Sequence, residues 1–203
     1  MKKFGHLLVV SVVFLALCSS CSSKASVSDA SAGVVSAGER SIELRSAVAI
    51  LNDYGNTPDV DVIFFSEELS KEEEAAFAES GGWAKEINGK FAIFKIGFMF
   101  EEEATVCDLQ NLRCYNVLFY DSEAFSVPVT VGYAQCVFGG LVGAAWDEGK
   151  DGVMQLAGDL IKGRAIRARV THEQLYAMDL APGVDSLPLK WDISVDCPLR
   201  MGV

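Results

Sequence analysis

The sequence predicts a mainly β protein: a two-layer antiparallel β-sandwich or small barrel with one or two short helices, stapled by disulfides. Three observations carry that prediction. Apolar and polar residues alternate with period two in several segments, most regularly in Gly163–Thr171 and Leu189–Cys197, and that period puts one face of a strand in a core. Clusters of turn-forming residues separate these segments. Four cysteines, Cys107, Cys114, Cys136 and Cys197, fall in the same part of the chain. Sandwich and barrel share this signature, so the pattern leaves both open.

The first 23 residues read MKKFGHLLVVSVVFLALCSSCSS. Lys2 and Lys3 precede an eleven-residue run, Leu7–Leu17, interrupted only by Ser11, and small residues and cysteines follow. This is the layout of an export signal. The run is too short for a permanent span, which needs ~20 apolar residues. The cysteines after it resemble the lipobox of bacterial lipoproteins, in which a Cys preceded by a small residue receives a diacylglyceryl group and becomes the mature N-terminus. Cys21 follows Ser20, whereas Cys18 follows the bulky Leu17, so the resemblance implies lipidation at Cys21 with Cys18 as runner-up. The competing reading is an ordinary secretory signal cut near Ser20 or Ala25. Diacyl attachment exceeds the threshold for lasting membrane binding, at ~0.8 kcal/mol per buried CH₂. In that family the residue after the lipidated Cys sorts the protein between membranes. Ser22 is not the Asp retention signal, which implies the outer membrane of a Gram-negative cell, with the domain in the periplasm or at the cell surface.

The expected organisation is a signal peptide over 1–20, a lipidated Cys and flexible tether over 21–40, and a single domain over 41–203. Residues 22–40 are rich in Ser, Ala and Gly without amphipathic period. Nineteen such residues span ~25 Å as a coil. From Ser41 the alternation predicts a strand with Ile42, Leu44, Ser46, Val48 and Ile50 on one face. Asn52–Asp59 reads as a longish loop, and Val60–Phe65 as the second strand of a hairpin. Ser70 with Glu73 forms a capping box for a short helix ending at Gly81-Gly82. Lys90–Phe100 is the strongest core strand, with Ala92, Phe94, Ile96, Phe98 and Phe100 inward, and Arg113–Tyr120 is its expected antiparallel partner. Ser126–Gln135 reads as a strand made an edge, or bulged, by Pro128. Cys136–Trp146 is apolar but carries Gly139, Gly140 and Gly143, which suit neither helix nor regular strand. Val153, Leu156, Ala157, Leu160 and Ile161 match helical spacing, so Lys150–Ile161 is read as helix. The last two strands place Ile166, Ala168 and Val170, then Leu189, Trp191, Ile193, Val195 and Cys197, on inward faces.

Charge narrows the partners. The leader carries two lysines and no acid, so the mature chain holds 15 basic against 28 acidic residues, a net charge of −13. Phosphate backbones and anionic membrane surfaces repel such a protein, so nucleic acid is excluded and a covalent lipid is the sensible anchor. An even cysteine count in an oxidising compartment reads as two disulfides. Cys107 and Cys114 flank a hairpin-sized polar loop and are paired on that ground, leaving Cys136 with Cys197; three connectivities remain formally open. Zinc is disfavoured because C-x₆-C is wider than zinc spacing and no CxxC or His pair accompanies it.

No motif announces catalysis. The mature chain has a single histidine, His172, with no HExxH and no GxSxG elbow, and a lone His at a strand end is most simply a surface or cap residue. Glu101–Glu103 could serve a carboxylate-dependent hydrolase but reads as a solvated turn. Asn52, Asp53, Asn56, Asp59 and Asp61 offer hard oxygens of the kind calcium prefers, without EF-hand spacing. Arg164, Arg167 and Arg169 form a basic stripe that would pair with acids on a neighbouring strand. No metal or cofactor is therefore expected. The reading is a non-enzymatic, lipid-anchored envelope module that binds a protein or the wall. Its alternative is a carrier of a small apolar ligand or lipid, with Phe94, Phe98, Phe138, Leu141 and Trp146 as the apolar ligand or partner surface; burial of that surface in the core is the competing account.

Overall fold

The computed structural model describes residues 31–54, 57–82, 84–101, 111–120, 131–138, 141–143, 155–157, 165–176 and 187–202. The described chain is mainly β, with one helix. In chain order the strands are β1 (Ala32–Ala37), β2 (Arg40–Leu44), β3 (Ser46–Tyr54), β4 (Thr57–Phe65), then helix α1 (Lys71–Glu79), β5 (Glu86–Ile87), β6 (Lys90–Phe100), β7 (Leu112–Phe119), β8 (Val131–Phe138), β9 (Leu141–Gly143), β10 (Gln155–Ala157), β11 (Ala165–Tyr176) and β12 (Pro188–Met201). Hydrogen bonding runs β10-β11-β12-β3-β4-β6-β7-β8-β9, with β1 and β2 branching from β12 and β5 from β6. The sheet is mixed and does not close. Its parallel pair joins Leu199–Met201 of β12 to Ala49–Leu51 of β3.

β12 is the branch point. One of its edges pairs with β11 from Pro188 to Pro198. The other pairs with β1 over Leu189–Ser194 and with β3 over Leu199–Met201. Between these two partners the Asp196 N–H donates to the Ser31 hydroxyl at 3.2 Å, and the buried Cys197 thiol meets Ser31 and the Ala49 backbone. The alternation of β12 explains its centrality: Leu189, Trp191, Ile193, Val195 and Cys197 are all buried.

The sheet folds back on itself. Tyr115 on β7 and His172 on β11 bring their rings to 6.4 Å, although these strands stand five places apart in the hydrogen-bonded order. In a flat sheet that separation is ~24 Å. Phe94 on β6 likewise packs on Trp191 of β12, centroids 5.4 Å apart, and on Phe64 at 5.9 Å. One apolar cluster fills the space so enclosed. A second lies on the opposite face of β3, β4 and β6, where Phe77 of α1 meets Phe65 edge-on at 5.0 Å over Val48, Ile50 and Ile63. The helix forms as its capping box predicts: the Glu73 N–H donates to the Ser70 hydroxyl, and the Ser70 N–H donates to the Glu73 carboxylate. It ends at Gly81 and Gly82, both at positive φ.

Several sequence expectations need correction. The stretch read as tether up to residue 40 contains β1, because Gly33 lets β1 lie against β12. A Cβ there would stand 2.5 Å from the Asp192 carbonyl oxygen and 2.7 Å from the Ile193 Cα. The strand expected from Ser41 is two strands that part at Arg45. Leu44 faces the main core, while Val48 and Ile50 face the helix and Ala47 and Ala49 turn to the main core. The expected loop over Asn52–Asp59 is mostly strand, since β3 and β4 pair up to Tyr54 opposite Thr57. Within the segment read as helix, Gln155–Ala157 is a strand on the edge of β11. Within the glycine-rich segment, Cys136–Phe138 pairs with Leu141–Gly143 as antiparallel strands.

No disulfide occurs among the described residues. Cys107, and with it the Cys107–Cys114 pairing, lies outside them. The expected Cys136–Cys197 pairing is not formed: Cys197 is a free, buried thiol opposite Ile166, and Cys136 stands opposite Cys114 across β7 and β8.

Candidate functional site

Where β12 passes from β1 to β3 the sheet forks, and a cleft of about 680 Å³ opens between the fork and α1. Its lining includes the cations Arg45, Lys71 and Arg200 and the acids Glu68, Glu74 and Asp196. Each is placed by an identifiable local cause. Arg45 occupies the break between β2 and β3, its N–H donating to the Phe65 carbonyl at 2.8 Å. Lys71 opens α1 directly after the Ser70 cap. Arg200 lies on the parallel segment of β12 and pairs with Glu74 at 3.2 Å.

The charges in the cleft are partly matched. Asp196 takes the Arg167 guanidinium at 3.0 Å, and Arg45 holds Glu43 at 3.4 Å in an exposed pair. Lys71 is exposed and forms no ion pair among the described residues. Cys197 lies in the lining as a thiol pushed up to about 11, chiefly by burial, so it is no nucleophile at neutral pH. Open walls of both signs suit a polar, charge-bearing ligand held by hydrogen bonds and ion pairs.

A second polar group lies on the helix side of the sheet. Of the five hard-oxygen residues named in the sequence, Asn52, Asp59 and Asp61 come together on β3 and β4: Asn52 opposes Asp59, and Asp61 lies two residues along. The side chain of Asp53 is not described, and Asn56 lies outside the described residues. Lys95 occupies the place of a cation, its ammonium 2.5 Å from Asp61. Burial raises the Asp61 carboxyl, with Lys95 pulling the other way. Burial, reinforced by the Asp61 charge, pushes Asp59 up to about 6. Gly97 sits between Asp61 and Asn116, where a Cβ would come within 2.9 Å and 2.5 Å of their oxygens. One oxygen each of Asp59 and Asn116 is buried without a hydrogen-bond partner. Among the described residues no three His, Cys, Asp or Glu side chains cluster to hold a metal.

The remaining named residues fall as follows. Phe94 and Phe98 are fully buried in the main core. Phe138 and Leu141 lie on β8 and β9, opposite each other in register. Trp146, Cys18, Cys21, Glu102 and Glu103 lie outside the described residues, while Glu101 is exposed. Arg167 and Arg169 pair across to Asp196 and Asp192, Arg169 through two nitrogens at 3.0 and 2.8 Å; Arg164 is outside the described residues. His172 is neither surface nor cap. It is 1 % exposed, stacked 4.7 Å from Trp191, and its Nδ1 accepts the Gln174 N–H at 3.1 Å. The expectation failed because β11 runs on to Tyr176 through an irregularity between His172 and Leu175 that keeps both side chains inward. The cleft carries no sequence signal, since its cations lie on a strand break, a helix and a strand far apart in the chain and share no spacing.

No protein-family model matches this chain, and neither a curated protein nor a solved structure matches it.

Proposed function

We propose that this is a lipid-anchored cell-envelope protein whose β domain, a sandwich-like fold of two facing sheet halves, is a binding module. Its leader occupies 1–20 and its lipid Cys21. The observation that carries the binding reading is the mixed-charge cleft at the fork, about 680 Å³ in volume, within the size of small-ligand sites. Ser31 lines the same cleft. Arg45, Lys71 and Arg200 favour a ligand with carboxylates, and Glu68, Glu74 and Asp196 favour ammonium groups. A peptide, from another envelope protein or from the wall, carries both. The apolar-carrier alternative draws no support from Phe94 and Phe98, whose surfaces are taken up by their core neighbours.

A photo-crosslinking side chain placed at Lys71 in the full-length protein tests the module in cells, with the exposed Lys190 on β12 as control. A discrete protein or wall adduct from position 71 and none from 190 is the expected result. Equal yields from both positions, or none from either, would reject the cleft as a binding site. Intact mass of the membrane fraction tests the anchor separately: a diacyl increment is expected, and its loss in Cys21→Ser.

A further inference from the structure

The register of β7 and β8 sets Cys114 directly opposite Cys136. Opposed residues of an antiparallel pair have Cα atoms ~4.5 or ~5.5 Å apart, depending on whether the pair is hydrogen-bonded. Both separations lie inside the ~4.4–6.8 Å that a disulfide requires. Opposed positions also share one face of a sheet, because side-chain direction has period two. Met99 of β6 completes a row of sulfur residues, opposite Cys114 on its other side. The Cys114 thiol, half-buried, lies 3.5 Å from the Met99 thioether. A thioether cannot take part in thiol–disulfide exchange, so within this row Cys114 has one exchange partner.

We propose that Cys114 and Cys136 form a cross-strand disulfide when the protein meets a disulfide oxidant. In the reaction one cysteine thiolate attacks a sulfur of the oxidant's disulfide and expels one oxidant thiolate, giving a mixed disulfide. The second cysteine then attacks the protein-side sulfur and expels the other. One S–S bond forms in the protein and one breaks in the oxidant. Two electrons pass to the oxidant, and the two thiol protons finish on its two thiols. The oxidant is a disulfide of a dithiol carrier protein or of a small thiol, as found in compartments outside the cytosol.

Cys197 stays out of this exchange. It lies on β12, opposite Ile166, with its thiol against Ser31 and the Ala49 backbone. Its depth in the core, 8 % exposed, also denies access to an attacking disulfide. The proposed bond ties β7 to β8 across the segment 115–135, so it restricts the unfolded chain and stabilises the outer strands of the path.

The test uses the full-length protein, purified reduced and exposed to excess glutathione disulfide. Remaining thiols are alkylated, the protein is digested without reduction, and linked peptides are read by mass. A Cys114–Cys136 peptide pair is expected as the main product. A thermal midpoint higher by roughly 5–10 °C than that of the reduced protein should accompany it, and Cys114→Ser should abolish both. A Cys107–Cys114 or Cys136–Cys197 link as main product would overturn the assignment. So would Cys114 and Cys136 both recovered alkylated, or both capped by glutathione.

Discussion

His172 is a titrating residue enclosed by the core. Trp191 covers its ring, and its Nδ1 accepts from Gln174, which places the proton of the neutral imidazole on Nε2. Burial holds its pKa down at about 4, against 6.5 in an open chain. The unfolded chain therefore binds a proton first as pH falls. Stability contributed by the neutral ring is complete above pH 6.5 and is lost on descent toward 4. At pH 4.5 the loss amounts to about 2–3 kcal/mol. Asp59 works in the opposite sense: its carboxyl is raised to about 6, so the cost of its buried charge is lifted as pH drops through 6 toward 3.8. Acidification of the wild type thus mixes a loss at His172 with a partial gain at Asp59. Comparison with His172→Phe isolates the first. Urea unfolding at pH 7.5 and 4.5 should show the wild type losing about 2–3 kcal/mol more than the variant over that interval. Parallel profiles would mean that the imidazole does not titrate in this way.

At the scale of elements, the readable ones are those whose local signals agree. β6 occupies the interval that its aromatic and β-branched run marks, Lys90–Phe100, and α1 begins at its capping box. β12 buries every residue of its inward set from Leu189 to Cys197. The misread elements owe their state to a neighbour. β10 carries helical spacing, yet pairs with Gln155 opposite Thr171 and Ala157 opposite Arg169, since an exposed strand edge offers hydrogen bonds that override a weak helical period. β1 has a tether's composition and becomes a strand because β12 offers its edge and Gly33 permits close approach. This dependence is testable at one atom. Gly33→Ala would set a methyl group 2.5 Å from the Asp192 carbonyl oxygen, where only main chain could yield. Amide exchange of Val34–Ala37 should accelerate by about ten-fold or more while β6 keeps its protection. Unchanged exchange in β1 would show that the strand does not rest on that contact.

Over the whole molecule, the core was visible in sequence and the cleft was not, for one physical reason. Burial imprints a period on each strand separately, so Phe94, Trp191 and Ile166 announce themselves locally. The cleft arises where separate elements diverge, and Arg45, Lys71 and Arg200 have no shared pattern until β12 leaves β1 and joins β3. That junction also holds the two sides of the fold together. Among the described residues the hydrogen-bonded path connects β10, β11 and β12 to the strands from β3 to β9 only at Leu199–Met201 against Ala49–Leu51, with the Gly202 N–H added to the Leu51 carbonyl at 2.7 Å. A chain terminated after Pro198 keeps the inward residues Leu189–Cys197 but loses this link. Of the residues packed on the main core it gives up the half-buried Leu199, so a fold held only by apolar packing would lose little. A fold that relies on the parallel junction should instead be destabilised by about 3 kcal/mol or more, on the scale of a broken buried hydrogen-bonded network, and should lose its single unfolding transition as the two sides separate. Arg200→Ala provides the contrast, since its pair with Glu74 is part-exposed at 30 % and 26 % and removing it should cost under about 1 kcal/mol. If the shortened chain unfolds in one transition at the full-length midpoint, the junction is incidental and the facing aromatic rings alone hold the two sides of the sheet in place.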